Sequence, residues 1–528
     1  MPWSLQKDTN MKNLKKRLFL SFRTVEIPII LAIFLFALSL RILSFYPDRM
    51  VFGYDQVEDL LNTKKVVKYH DLVIMGRIAS GNPNTHHGVS FFYYMVPPFI
   101  LGNGNPTTVA VWNSIFNSLS IIILFFLAYK LFGSFKAATL TAILAAVSYQ
   151  SVQYAGWLSN PTTLVFLVPL FFLCLWSYYK GNDRSLIIAF ALLGLIIQSQ
   201  IFMLYLVFVI PIFWFVIRPK FPNFKVSLLS VMALTAGLST MILTEFKLKF
   251  AGVNTLLHFS TNFDEANTSL LVRLDSFLVN FIETFSSNIW PNGGIYAKVF
   301  CLLIIFLFII YIIFRKNKKD LPGVRFLLIY ILSPFLMLPF GYHKQLWTFI
   351  GIMPAVALFT GYVFSKINNR VVLMVIITFI SFVNIRYVIE SRSSLNFYIK
   401  QEPPSILSNQ IEVMDYTYQE SDGKPFSINS VTYPLYSNTY WSYHYPWYGI
   451  KKYGYIPGWL GGDQLYPYNS LPASAGNEKY SYMIIDNSSS IPWIHRLAGR
   501  QWAEKNGKLV KETEIGGYTV IKMEKINQ

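Results

Sequence analysis

Charge is what this sequence has least of. Only 14% of its 528 residues are Asp, Glu, Lys or Arg, against about 25% in a soluble globular chain. Together with a hydrophobic content of 53%, this is a membrane-like composition. Acidic residues are the scarcer sign, 27 against 45 basic ones, for a net charge of +18. Such a balance raises the question of nucleic acid. The basic residues, however, sit in short clusters between apolar runs, the pattern of cytoplasmic loops rather than of a nucleic-acid surface. Cysteine is almost absent. Cys174 and Cys301 both lie inside apolar segments, which excludes a disulfide framework and leaves burial as small hydrophobes. No GxGxxG, P-loop, HExxH or CxxC motif occurs in a usable context, which argues against nucleotide-driven transport and soluble nucleotide-sugar sites. No small-residue cleavage site follows the apolar run Ile27–Leu40, so the basic N-terminus leads into an uncleaved first transmembrane helix. No internal repeat is present.

The apolar runs give the topology. A spanning helix needs about 20 mostly apolar residues. That criterion predicts about eleven spans, near 26–46, 107–129, 134–152, 161–179, 185–200, 201–217, 226–246, 296–314, 324–340, 346–364 and 371–389. The segment 90–101 is apolar but short and holds Pro97-Pro98, so it is expected at the interface or re-entrant. With the N-terminus cytoplasmic, every even connection is basic: Lys130 and Lys136; Lys180 and Arg184; Arg218, Lys220 and Lys225; Arg315 to Arg325; Lys366 and Arg370. This alternation places three regions outside, the loops 47–106 and 247–295 and the tail 391–528. The expected fold is therefore an α-helical polytopic membrane domain over 1–390, followed by a soluble extracytoplasmic α/β domain over 391–528. In that tail, helices are expected over 405–418 and 493–506. Strands are expected over Pro425–Thr432, Tyr480–Asp486 and Tyr518–Met523, the last entered from Lys508–Thr513 through the turn Gly516-Gly517.

The residues that could carry chemistry are few. Asp55-Gln56-Val57-Glu58-Asp59 places three carboxylates in five residues, shortly after the first span. On a helix, Asp55 and Asp59 project from one face. Close like charges raise a pKa, which suits a general base, or they can share a cation, so a divalent metal, if any, belongs on Asp55 and Asp59. The plain alternative is a helix start with acids favourably placed in its first turn. Arg41, near the outer end of the first span, either snorkels or faces a cavity and pairs with an acid or an anionic ligand. Lys64, Lys65, Lys68 and Arg77 follow the acids, then His86-His87-Gly88. They suit a phosphate headgroup, or form an ordinary basic surface. His343 and Lys344, on a turn between the ninth and tenth spans, admit a headgroup role or simple interfacial anchoring. The aromatics between Tyr433 and Trp459 suit sugar stacking or packing.

These features resemble the glycosyltransferase C superfamily, and within it family 39, the polyprenyl-phosphate-sugar-dependent transferases of the protein O-mannosyltransferase and lipid A aminoarabinose transferase type. The resemblance rests on the basic N-terminus, the Arg closing the first span, Asp55-Gln56-Val57-Glu58-Asp59, and His87-Gly88-Val89-Ser90-Phe91-Phe92-Tyr93-Tyr94. Asn160-Pro161 and His343 before Pro354 add to it. Glu58 stands where an Arg is usual, and Gln200 where related chains often have His. The resemblance implies an inverting transfer of a hexosyl or pentosyl group from a polyprenyl-phosphate donor to a glycan, lipid or protein hydroxyl at the outer face of the plasma (inner) membrane. Asp55 would be the base and Asp59 a supporting carboxylate. Arg41, Lys64, Lys65, Arg77, His87, His343 and Lys344 would hold the donor phosphate or the acceptor. An oligosaccharyltransferase or O-antigen ligase, or a flippase of lipid-linked glycans, are the rival readings.

Overall fold

The computed structural model describes residues 26–79, 82–257, 270–314, 320–340, 346–391 and 401–525. The protein is a multi-pass helical membrane protein with a mixed α/β region at its C-terminal end. Each of the eleven apolar segments forms helix, but they are not equal. Seven are long and apolar enough to cross a bilayer: Glu26–Leu43, Pro106–Phe132, Asn160–Tyr179, Gly294–Phe314, Leu321–Leu338, Leu346–Ser365 and Arg370–Ser391. An eighth is a bent pair, Phe224–Gly237 and Ser239–Lys247, with 58° between its halves. The three others are shorter: Phe135–Val147 stops at Ser148, Asp183–Ser199 stops before Gln200, and Ile201–Ile217 begins as a 3₁₀ turn. Ser90–Leu101, with its two prolines, is likewise short.

Two of the breaks are satisfied by side chains from other segments. At Ser148 the Tyr149 N–H donates to Asn384 Oδ1 at 2.8 Å instead of to its own helix. At the bend near Leu238, Gln198 Nε2 donates to the Gly237 carbonyl, so a side chain satisfies a backbone group that the bend would strand in an apolar setting. The same amide's Oε1 accepts from Ser90 N at 3.2 Å and Thr240 Oγ1 at 3.0 Å. Gly194 and Gly237 let these helices touch backbone to backbone; a Cβ on Gly194 would meet Gly237 Cα at 2.8 Å. Such small-residue contacts are how helices approach closely in membranes. In the loop 247–295, helix Leu270–Ile289 buries Phe277, Phe281 and Phe285 at i, i+4 and i+8, against Phe335, Phe349 and Phe359. Asp264 and Glu265 of this loop, the basic N-terminus and Arg315–Lys319 lie outside the described residues.

The C-terminal region carries a five-stranded sheet in the order β4-β3-β5-β7-β6: β3 is Phe426–Val431, β4 Gly458–Trp459, β5 Tyr480–Asp486, β6 Lys508–Ile515 and β7 Tyr518–Glu524. Both β4 and β5 run parallel to β3, while β7 is antiparallel to β5 and to β6. The β6–β7 turn is Gly516-Gly517 at φ +58 and +83, the left-handed pair such a tight hairpin needs. Helices Leu407–Glu420 and Trp493–Asn506 match the periodicity of their sequences. Much of the aromatic run packs inward: Tyr440, Trp441, Tyr443 and Tyr445 are buried.

This region does not hang free of the loop 47–106; the two share one core. Phe45, Phe52, Val57, Leu60, Phe91 and Met95 pack in the same cluster as Leu407, Met414, Trp441, Tyr445 and Tyr518. Backbone bonds tie them, Phe52 N to Ser405 O at 2.8 Å and Leu407 N to Met50 O at 3.1 Å. Buried Gln410 is the clasp. Its Nε2 donates to the carbonyls of Phe52 (2.9 Å) and Pro404 (2.8 Å), and its Oε1 meets His444 Nε2 at 2.7 Å. Gln410→Leu therefore leaves two buried polar groups, the Phe52 carbonyl and His444 Nε2, without this partner, while Pro404 O keeps Tyr518 OH, and it is expected to cost at least about 2 kcal/mol. The check is protease resistance of residues 401–525 during a thermal ramp of the full-length protein, which the variant should lose at lower temperature.

Candidate active site

Helix Tyr54–Tyr69 presents the acidic cluster. Gly53 precedes it in an extended conformation, and Gln56 Oε1 reaches back to Gly53 N–H at 2.9 Å, closing the first turn. Asp55 lies in that turn, where the helix dipole favours a carboxylate. Glu58 and Asp59 lie a turn further in, where the dipole no longer accounts for them. Their charge is balanced by one side chain, Arg77. Its Nη2 is 2.8 Å from Asp55 Oδ2, its Nη1 3.2 Å from Asp59 Oδ2, and its Nε 3.7 Å from Glu58 Oε2. Nη1 also donates to the Asp55 carbonyl at 3.1 Å.

Arg77 is placed from outside the helix. The short antiparallel pair β1 (Ile78–Ala79) and β2 (Asn82–His86) follows it, and His87 N donates to the Arg77 carbonyl at 2.9 Å. Gly76 and Gly88 allow this approach: a Cβ at Gly76 would meet the His87 carbonyl oxygen at 2.2 Å, and one at Gly88 the Gln198 side chain at 2.5 Å. The Gly88 N–H in turn donates to Gln198 O at 2.8 Å. The same Gln198 that bridges the bent helix thereby positions the strand pair that carries Arg77.

Exposure separates the three acids. The Asp55 side chain is 50% exposed, that of Glu58 23% and that of Asp59 2%. Burial pushes the Asp59 carboxyl up to about 7, with Arg77 pulling it back and Asp55 and Glu58 adding to the rise. Burial likewise raises Glu58, against Arg77. For Arg77, burial works against the charge, but Asp59, Asp55 and Glu58 together outweigh it and keep the guanidinium protonated. His87 is pushed down to about 3 by burial, by Arg77 and by His86. It is therefore neutral at pH 7, and its buried Nδ1 has no hydrogen-bond partner among the described residues.

The remaining cations divide. By helix geometry, at 100° per residue, Lys64 lies about half a turn around from Asp55, off the acidic face, and burial beside Lys68 lowers it to about 8. Lys65 lies near the Glu58 edge of that face, with its Nζ 4.7 Å from the Tyr466 ring. Arg41 neither snorkels nor meets an acid. It is buried, donating to Asn117 Oδ1 at 2.7 Å and to the carbonyls of Ala37, Ala145 and Ala146 at 3.0–3.1 Å. Its role in the structure is to hold the first span to its neighbours. His343 and Lys344 lie outside the described residues. Gln200 is buried at the break between two helices.

Two tyrosines complete the site from the C-terminal region, Tyr433 at the start of the aromatic run and Tyr468 beyond it. Tyr468 OH donates to Glu58 Oε1 at 3.2 Å, and Tyr433 meets Tyr54 edge-on at 6.2 Å. No group of three or more His, Cys, Asp or Glu arranged to hold a metal occurs among the described residues. The donor set of Asp55, Glu58 and Asp59 does not fit a resident cation, because the guanidinium already occupies the space between the carboxylates.

No family model and no curated protein matches the chain. Solved structures do. The crystal structure of ArnT from Cupriavidus metallidurans bound to undecaprenyl phosphate superposes with a TM-score of 0.54 at 8% identity, over 95% of this chain and 98% of that one. The chain shares the fold of that ArnT structure. The archaeal oligosaccharyltransferase AglB from Archaeoglobus fulgidus, in complex with an inhibitory peptide and a dolichol-phosphate, gives 0.45 at 13% identity over 94% of this chain and 74% of its own. Arabinofuranosyltransferase AftD from Mycobacteria gives 0.40 at 13%, over 94% and 40%. The ArnT match covers nearly the whole chain.

Two outcomes follow from the cluster. Arg77→Met strands partly buried carboxylates and should cost about 3–5 kcal/mol; adding Asp59→Asn should recover part of that loss in thermal unfolding. The second concerns pH. An unfolded Asp loses its proton near 3.8, and the folded Asp59 near 7. The native state thus binds the extra proton between those values. The stabilisation from Asp59 is complete below about pH 4 and disappears as pH rises through about 7. The melting temperature of Asp59→Asn should therefore gain on the wild type as pH is raised from 5 to 8.

Proposed function

We propose that the protein is a membrane glycosyltransferase. It moves a hexosyl or pentosyl group from a polyprenyl-phosphate donor to an acceptor hydroxyl at the outer face of the plasma (inner) membrane, with inversion. The observation that carries this reading is the half-exposed Asp55, fixed by Arg77, within a chain whose fold follows ArnT from end to end. That ArnT is bound to undecaprenyl phosphate suggests the donor class here.

Asp55 is the base. Arg77 holds its Oδ2, which orients the carboxylate, and the Asp55 side chain stays half exposed to solvent-borne hydroxyls. As the acceptor oxygen bonds to the anomeric carbon, its proton passes to Asp55. The bond from that carbon to the phosphate oxygen breaks, and the electron pair leaves with the polyprenyl phosphate. One displacement inverts the centre. Asp59, buried beneath, acts as a positioning residue through Arg77. The leaving phosphate gathers charge that fixed cations stabilise; His343 and Lys344 are assigned that role from their place in the sequence. Neutral His87 serves as a hydrogen-bond donor, not a cation. No step is routed through a metal.

Asp55→Asn keeps shape and removes the base, so transfer from a radiolabelled polyprenyl-phosphate sugar in membranes should fall by about 10²-fold or more. Retained wild-type turnover excludes Asp55 as base. Orientation is read separately. With the tail outside, cysteines introduced at exposed Tyr436 or Asp463 should react with a membrane-impermeant maleimide in intact cells, whereas labelling only after lysis reverses the topology.

A further inference from the structure

Along helix Tyr54–Tyr69, Asp55, Glu58, Asn62, Lys65 and Tyr69 follow one another at spacings of three, four, three and four. That spacing keeps them in one stripe. All five are at least partly open to solvent. The stripe runs about 20 Å from the base at one end. Along its side lies the segment around residue 466 of the C-terminal region. Tyr466 stands edge-on to Tyr69 at 6.1 Å with Lys65 Nζ over its ring, and Tyr468 donates to Glu58. Tyr69 and Tyr466 are 54% and 50% exposed. The Asn62 side chain has no hydrogen bond among the described residues, and nothing in the chemistry proposed above uses Asn62, Tyr69 or Tyr466.

We infer that this stripe and Tyr466 form an acceptor shelf for an oligosaccharide chain, whose terminal hydroxyl is delivered to Asp55. The inference rests on the proposed transferase reading and names its acceptor class. The chemistry favours a glycan. Exposed tyrosine faces stack on the apolar faces of sugar rings, while a free amide, an ammonium and carboxylates alternate along the shelf to meet hydroxyls. Peptides are instead held by strand edges or apolar grooves, and the shelf is a helix face bordered by a loop, offering neither. A shelf of this length takes several sugar units, so affinity should rise with acceptor length.

The test uses the full-length protein in nanodiscs, without donor, on an array of neutral oligosaccharides of increasing length and of Ser/Thr-rich peptides. Wild type should bind at least one oligosaccharide series more tightly as it lengthens. Tyr466→Ala and Tyr69→Ala should each weaken that binding about tenfold, while Tyr466→Phe and Tyr69→Phe should retain it. Both side chains are exposed, so melting temperatures of the variants should match wild type. Binding of peptides alone, binding equal to that of empty nanodiscs, or oligosaccharide binding indifferent to both alanine variants overturns the shelf. Because no donor is present, a wild type that binds glycans but never transfers sugar counts against the transferase reading and not against the shelf.

Discussion

Everything at the candidate site depends on one guanidinium among three carboxylates. Helix Tyr54–Tyr69 on its own would place Asp55, Glu58 and Asp59 close enough to repel one another. Arg77 answers all three, and it can do so because Gly76 and Gly88 let two backbones touch and because Gln198 holds the second of them. The same Gln198 side chain satisfies the carbonyl freed by the bend at Leu238. A feature of the membrane helices, their broken geometry, is thereby tied to the charge balance of the loop. The graded exposure of the acids follows from this arrangement: Asp59 is buried against Arg77, and Asp55 stays half exposed.

The C-terminal region has a matching structural reason to exist. Its sheet and helices share a core with the loop 47–106, and Gln410 joins them through buried hydrogen bonds. Tyr468 and Tyr466 then reach the face of the helix that carries the acids. Under the proposed function, the membrane-embedded helices hold a donor whose tail stays in the bilayer. The loop and tail meet an acceptor that arrives through water.

Much of this was legible in the sequence, and what was not has a physical cause. All eleven apolar segments become helix, since hydropathy governs them. Their breaks were invisible, because Asn384 and Gln198 stabilise the ends from segments distant in the chain. In the tail, Tyr480–Asp486 and 493–506 fall where alternation and helical period put them, and Gly516-Gly517 makes the hairpin its composition announced. At the site, Asp55 and Asp59 stood out by density alone. Arg77 was one cation among several, and its selection depends on a strand pair only two residues long on one side. Arg41, near the outer end of its span, suits either snorkelling or a charged partner; four neutral acceptors that helix packing brings together serve it instead. Tyr466 and Tyr468 lie some 400 residues from the acids, beyond any local pattern, and just past the aromatic run 433–459.

The most direct test of the central claim is a structure of the full-length protein with a non-transferable polyprenyl-phosphonate sugar. The expected complex has the sugar at the open edge of helix Tyr54–Tyr69, with room for one hydroxyl between the anomeric carbon and Asp55 Oδ1, and Arg77 still bridging the carboxylates. A sugar bound away from that face, or a metal displacing Arg77 from the cluster, would contradict it.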